Sequence, residues 1–144
     1  RLSHNNLTEC GRGKDFSVHK LGHALSAKYD VAHGASDAAV WGSWARYLYQ
    51  DQALGRFVQF AENVCGIYGD GKPEEETALA GIEKTEAFFR SIGMPVSLSQ
   101  LGVQPNEEDR KALSLDATMG DTVKLTRIRP LGAKEVGEIY QMAM

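Results

Sequence analysis

Apolar residues recur along most of this chain at the three- and four-residue spacing that is typical of amphipathic helices. The clearest example lies at 52–68, where one helix face would carry Leu54, Phe57, Val58, Ala61, Val64, Cys65 and Tyr68. A second helix is expected at 74–91, because the glutamates at 74–76 suit the positive end of a helix dipole. Gly93 is a suitable residue just after its C-terminus, and Pro95 prevents the helix from continuing.

Further segments carry helical patterns of different strength. The helix nearest the start of the sequence is expected to begin near Asp15, which is a suitable N-cap residue. Lys14 and Ser17 are equally suitable as its first residue. Its apolar residues are Val18, Leu21, Leu25 and Tyr29. The segment 35–49 is apolar nearly all round, as expected of a buried helix. Weaker helical patterns follow at 98–102, 105–119 and 136–143. Because the alternation at 123–128 is short and isolated, the sequence predicts an all-α fold of about six to seven helices.

The composition places the chain among ordinary globular domains. It has 144 residues, of which 42% are hydrophobic and 24% are charged. Its net charge of −3 and the lack of a Lys/Arg-rich run exclude nucleic-acid binding through a basic patch. No apolar run approaches the roughly 18–20 residues of a membrane span, and no signal peptide is visible. Cys10 and Cys65 form no CxxC pair and indicate a reducing compartment, so we expect a cytoplasmic protein without a membrane partner.

Histidines are concentrated in one short stretch of the sequence. Three of the four histidines lie between residues 15 and 34. His19 and His23 are four residues apart, so on a helix they project from the same face. His33 follows beside Gly34, at a distance that suits the end of one helix, a short loop and the start of another. Because imidazole is the commonest metal ligand and the usual proton carrier near neutral pH, the cluster indicates a metal or proton-transfer site.

Several known site motifs are absent from this stretch and from the rest of the chain. The 19–23 segment has the spacing of HExxH, but Lys20 stands where a metalloprotease has its general-base glutamate. The segment 11–14 is followed by Asp15 instead of Ser or Thr, and it lacks the earlier glycine of a phosphate-binding loop. Neither a GxSxG elbow nor a GxGxxG dinucleotide fingerprint occurs.

The histidines belong to longer runs that resemble the iron-containing alcohol dehydrogenase family, and most closely its butanol dehydrogenase branch. The central run reads Asp-Phe-Ser-Val-His-x-x-Gly-His-Ala-Leu-Ser at 15–26 and continues to His33 and Gly34. Ser-His-Asn-Asn-Leu at 3–7 precedes it. Matching runs follow at 89–102, which begins Phe-Arg-Ser-Ile-Gly-Met-Pro, and at 129–140, which begins Arg-Pro-Leu. The resemblance therefore spans essentially the whole chain.

The resemblance implies a two-domain enzyme in which one domain binds the cofactor and the other binds the metal. Enzymes of this family have an N-terminal α/β domain that binds NAD(H) or NADP(H) and a C-terminal all-helical domain that holds a catalytic metal. Residues 1–144 would form this helical metal-binding domain. Because the sequence begins at Arg1 rather than Met, with no capping signal before Leu2, we expect a fragment without the dinucleotide-binding domain.

The resemblance also implies roles for the three histidines. The family metal, Fe²⁺ or sometimes Zn²⁺, takes two histidine ligands that match His19 and His33. Its two other ligands form an Asp-x-x-x-His pair nearer the N-terminus. The residue matching His23 lies beside the metal, near the nicotinamide, and is the candidate catalytic residue for proton transfer. Asp15 and His19 also have this pair's spacing, but His19 is already assigned and Asp15 suits an N-cap.

These implications give a concrete functional expectation. The full-length protein would be an NAD(P)-dependent alcohol dehydrogenase or aldehyde reductase, in which the metal acts as a Lewis acid on the oxygen of a small primary alcohol or aldehyde. We expect it to form a homo-oligomer, a dimer. This chain alone is expected to bind Fe²⁺ or Zn²⁺ weakly and to lack dehydrogenase activity, because catalytic metal sites usually need three or more protein ligands.

Two alternatives stay open at this point. In the first, the chain is a non-catalytic helical folding or assembly module in which the histidines are relics of an ancestral site. In the second, it is a self-contained metal hydrolase with three histidine ligands. The arrangement of the histidine side chains distinguishes the three hypotheses.

Overall fold

The computed structural model describes residues 15–50 and 52–144. Within these ranges the chain forms seven helices: α1 (Ser17–Tyr29), α2 (His33–Leu48), α3 (Leu54–Asn63), α4 (Glu74–Ser91), α5 (Leu98–Leu101), α6 (Glu107–Ala117) and α7 (Ala133–Met142). The described part contains no strand, and the alternating segment contributes only an isolated antiparallel bridge between Leu125 and Leu131. The predicted all-α fold is therefore confirmed. The 3–7 motif, Cys10 and the 11–14 turn lie outside the described residues.

The larger of two apolar clusters joins both ends of the described chain. Its members come from α1, α2, α5, α6, α7 and neighbouring loops, and the largest are Leu21, Leu25, Leu48, Leu98, Leu113, Leu131, Ile139 and Tyr140. The Tyr140 hydroxyl donates a hydrogen bond of 2.8 Å to the carbonyl oxygen of Leu21. Complete burial raises the pKa of Tyr140 far above its usual value, so this hydroxyl stays a donor. The last helix thus holds α1, the helix that carries His19 and His23, in place.

A second apolar cluster lies between α2, α3 and α4. Its buried members are Ala45, Tyr49, Ala53, Phe57, Ala78 and Ile82. Trp44 packs against both clusters, so α2 is the helix that the two clusters share. This position fixes α2, whose first residue is His33, on both sides.

One predicted helix end is wrong for an identifiable reason. The helix expected at 52–68 ends at Asn63, because Gly66 adopts a left-handed conformation with φ of +66°. The Gly66 amide then bonds the Glu62 carbonyl at 3.1 Å, which closes the helix end. Val64 and Tyr68, which the pattern assigned to the apolar face, are 70% and 66% exposed.

α1 begins at Ser17, one of the predicted starts, but the predicted cap at Asp15 is wrong. Asp15 does not occupy the N-cap position of α1, which is Phe16. Its carboxylate instead accepts hydrogen bonds from the amide and hydroxyl of Ser17 at 2.8 and 2.7 Å. α2 begins at His33, as the position of this histidine indicated, and two residues before the apolar segment 35–49, so His33 is part of the helix. None of the described helices combines the length and apolar character needed to cross a membrane.

Candidate metal centre

The structure brings His19 and His33 into direct contact. His19 lies in the first turn of α1, and His33 is the first residue of α2. The Nε2 atom of His33 is 3.0 Å from the Nδ1 atom of His19. The two ring centroids are 4.6 Å apart and the ring planes are nearly perpendicular, at 88°. Two imidazole nitrogens therefore converge on one point at the α1–α2 contact.

Ser36 fixes the register in which α2 crosses α1. This side chain is fully buried. Its hydroxyl oxygen lies 2.9 Å from the Gly22 carbonyl oxygen and 2.7 Å from the His33 carbonyl oxygen. It also lies 2.9 Å from the hydroxyl oxygen of Ser26 on α1. Because buried polar atoms need such partners, this network holds the first turn of α2 against the middle of α1.

Asp37 is a site residue that the sequence analysis missed. Its Oδ2 atom lies 3.5 Å from His33 Nε2. Among the described residues, His19, His33 and Asp37 offer ligand atoms that all lie within 4.8 Å of one another. The available signal was the spacing, since Asp37 follows His33 by four residues and so shares its helix face. Burial raises the pKa of the Asp37 carboxyl, and the neighbouring His33 partly opposes this rise.

His23 lies beside this group without joining it. Its ring centroid is 6.1 Å from that of His19 and 5.9 Å from that of His33. The side chain is exposed and lines an open cavity of about 370 Å³, together with His19, Lys20 and Met119. The three histidines therefore lie close together, as predicted. The imidazoles of His19 and His33 are in contact, and His23 lies one helical turn away from His19.

Two buried polar atoms of the site have no hydrogen-bond partner within residues 15–50 and 52–144. These are His33 Nδ1 and Asp37 Oδ1. A buried donor or acceptor without a partner costs about 1–3 kcal/mol, so such atoms are uncommon away from ligand sites. The unpartnered carboxylate oxygen is the kind of group that a bound cation would satisfy.

The donor set fits a divalent transition metal. Imidazole nitrogen suits Fe²⁺ and Zn²⁺, and two histidines with a carboxylate are a known ligand set for iron. Two ligands bound at about 2.1 Å to a tetrahedral metal lie about 3.4 Å apart. The separations of 3.0 and 3.5 Å between the neighbouring donor atoms are close to this value.

The sequence and the fold both match a known protein family. Residues 9–144 match the family model described as the Fe-containing alcohol dehydrogenase family, C-terminal. The chain belongs to this family. The resemblance predicted from the histidine motif is thus confirmed, and the seven helices correspond to the all-α C-terminal domain of iron-containing alcohol dehydrogenases.

Individual relatives of this iron-containing alcohol dehydrogenase domain include butanol dehydrogenases. The chain is 32% identical over 140 residues to NADH-dependent butanol dehydrogenase A of Clostridium acetobutylicum, a match that covers 97% of this chain and 35% of that protein. It is 29% identical over 126 residues to lactaldehyde reductase of Escherichia coli, covering 88% of this chain and 32% of that protein.

The structural comparison leads to the same family. The crystal structure of NADH-dependent butanol dehydrogenase A from Thermotoga maritima superimposes with a TM-score of 0.78 at 34% identity. This superposition covers 92% of the present chain and 33% of the Thermotoga chain. The present sequence therefore spans about a third of the length of the relatives that it matches.

Proposed function

We propose that this chain is the metal-binding helical domain of an NAD(P)-dependent alcohol dehydrogenase or aldehyde reductase. The observation that carries the proposal is the 3.0 Å approach of His33 Nε2 to His19 Nδ1 in a chain of this family. The names of the relatives, a butanol dehydrogenase and a lactaldehyde reductase, support a small primary alcohol or aldehyde as the substrate.

His19 and His33 would hold Fe²⁺ or Zn²⁺ as neutral imidazoles. When bound, the metal would supply Lewis-acid polarisation of the substrate oxygen. The crossing of α1 and α2, fixed by Ser36, would keep both nitrogens on the same point. We infer that the remaining ligands and most of the NAD(H) or NADP(H) site come from a part of the protein outside this sequence, so the chain alone lacks dehydrogenase activity.

His23 would carry the proton that the reaction exchanges with solvent. Its imidazole is exposed to an open cavity, and it lies one helical turn from His19 on the same helix. A histidine in this position can accept a proton from an alcohol bound beside His19 and release it to water, or do the reverse. Its exposure supports this role, because a relay needs contact with both the substrate and bulk water.

The geometry also bears on the two alternative functions. Imidazoles that had become relics have no reason to keep two nitrogens 3.0 Å apart beside an unpartnered carboxylate oxygen. A hydrolase with three histidine ligands would need His23 in the ligand group, whereas the third member within reach is Asp37. Both observations favour the dehydrogenase domain.

Two further parts of the proposal rest mainly on the sequence. We place the protein in the cytoplasm, because its cysteines form no motif of an oxidising compartment and Cys65 is a free thiol. We also propose that the full-length enzyme is a homodimer. Size measurement of the purified full-length protein by light scattering tests the second point directly.

Replacement of His23 tests its assigned role. In the full-length protein, His23→Ala should lower kcat for NAD(P)H-linked reduction of butanal by about 100-fold, since general acid–base groups contribute at least this much. Metal content should stay at the wild-type level, because His23 is outside the ligand group. Added imidazole should restore part of kcat. An unchanged kcat, or loss of metal from this variant, would contradict the relay role.

A further inference from the structure

We propose that Asp37 is a third metal ligand supplied by this chain, next to His19 and His33. The proposal rests on the metal-binding function above but goes beyond it, because that function needs only the two histidines. It changes the site from two imidazoles into a group of two nitrogens and one carboxylate oxygen. Three observations support the proposal. Asp37 faces the His33 nitrogen that also faces His19, one oxygen of its carboxylate has no hydrogen-bond partner among the described residues, and Gly22 on α1 leaves space for this carboxylate.

The carboxylate lies on the ligand side of the His33 ring. A carboxylate that only orients a metal-binding histidine contacts the ring nitrogen that points away from the metal. Here Asp37 Oδ2 lies 3.5 Å from Nε2 of His33, the nitrogen that also faces His19 at 3.0 Å. The other nitrogen of the ring, Nδ1, is buried and has no hydrogen-bond partner in the part of the chain that the structure describes. Asp37 therefore shares the convergence point with the two imidazoles.

The Asp37 carboxylate lacks the partners that a structural carboxylate normally has. Its Oδ1 atom is buried and has no hydrogen-bond partner among the residues that the structure describes. Removing a carboxylate from water without compensation is unfavourable, so a purely structural role would select an amide or an apolar side chain here. A divalent cation bound to the carboxylate would offset this cost.

Gly22 on α1 leaves the space that the Asp37 carboxylate occupies. A Cβ atom added to Gly22 would lie 1.8 Å from Asp37 Oδ1 and 3.0 Å from the Asp37 backbone nitrogen. Any larger residue at position 22 would displace the carboxylate from its place beside the imidazoles. Gly22 lies between His19 and His23 on α1, so the helix that supplies one imidazole also makes the space for the carboxylate.

Cobalt binding by the full-length protein tests the assignment without using catalysis. Asp37→Asn keeps the shape of the side chain but removes a charged ligand. It should weaken Co²⁺ binding by more than about 100-fold, because even partners of the direct ligands change metal affinity by 10–100-fold. The visible absorption bands of bound Co²⁺ should change as well. Asp30→Asn, which removes the same charge from the exposed α1–α2 loop, is the matched control and should leave affinity and spectrum unchanged.

A second variant reports directly on the distance between residue 37 and the ion. Asp37→Cys should give Co²⁺-loaded protein an intense thiolate-to-cobalt charge-transfer band that the wild type lacks, since a thiolate ligand bonds cobalt directly. Absence of this band, together with wild-type Co²⁺ affinity of Asp37→Asn, would overturn the proposal. If His33→Ala still abolishes binding in that case, the metal-binding function stands. If His19 and His33 are also dispensable for Co²⁺ binding, both proposals fail.

Discussion

His33→Ala in the full-length protein is expected to remove bound metal and dehydrogenase activity together, each by more than about 100-fold. The residue supplies Nε2, which lies 3.0 Å from His19 Nδ1 and 3.5 Å from Asp37 Oδ2. Alanine deletes the nitrogen that takes part in both contacts, so the site loses one of its two assigned histidine ligands. Metal analysis by mass spectrometry and NAD(P)H oxidation with butanal measure the two losses.

Stability should change little in the same variant. His33 begins α2 and its side chain is 40% exposed, so no large apolar contact is lost. Helix content and the unfolding midpoint of the metal-free protein should therefore stay close to those of the wild type. His23→Ala provides the matched comparison, because it deletes a neighbouring imidazole outside the ligand group. Wild-type metal content in His33→Ala would contradict the assignment of this histidine.

Arg46→Ala is expected to destabilise the protein by about 3–5 kcal/mol, the largest stability change that we expect of a single charged residue. Arg46 on α2 donates two parallel hydrogen bonds, of 2.6 and 2.8 Å, to the carboxylate of Glu86 on α4. The Glu86 side chain is only 9% exposed. Without the guanidinium, the one cationic partner left to this carboxylate among the described residues is Arg90 at 3.8 Å, whose side chain is 54% exposed.

Urea unfolding of metal-free protein measures this effect. Replacing both partners by apolar residues, Arg46→Met with Glu86→Leu, should recover most of the lost stability, because no unpaired charge is then buried. Arg56→Ala is the control: Arg56 is exposed, its bond to Gln59 lies at the surface, and the change should stay within about 0.5 kcal/mol. A loss below about 1 kcal/mol for Arg46→Ala would mean that the ion pair does not join α2 to α4.

Local signals in the sequence were sufficient to predict some helices and insufficient for others. The bounds of α4 are as predicted, because three glutamates, Gly93 and Pro95 mark both ends within the segment itself. The end of α3 was missed because a 3.6-residue pattern counts Val64 and Tyr68 as apolar positions. Such a pattern contains no information on backbone conformation, so it does not predict the left-handed turn at Gly66, between Val64 and Tyr68.

The site shows the same limit at the level of tertiary contacts. The spacing of the histidines and the family motif indicated His19, His23 and His33 as site residues, and the three rings lie close together in the structure. Asp37 is not part of the histidine pattern, which is why that pattern did not predict it, although its four-residue spacing from His33 is visible in the sequence. Ser36 bonds a residue 14 positions away, and Arg46 pairs with Glu86, 40 positions away. No local sequence pattern predicts such long-range contacts.

The role of His19 and His33 as joint ligands is the central claim, and a crystal of the metal-loaded full-length protein tests it most directly. Data collected on both sides of the iron or zinc absorption edge should place one anomalous peak between the two rings. The peak should lie about 2.0–2.2 Å from one nitrogen of each histidine. Two imidazoles that point apart, or a metal bound elsewhere while these rings contact only protein, would contradict the claim.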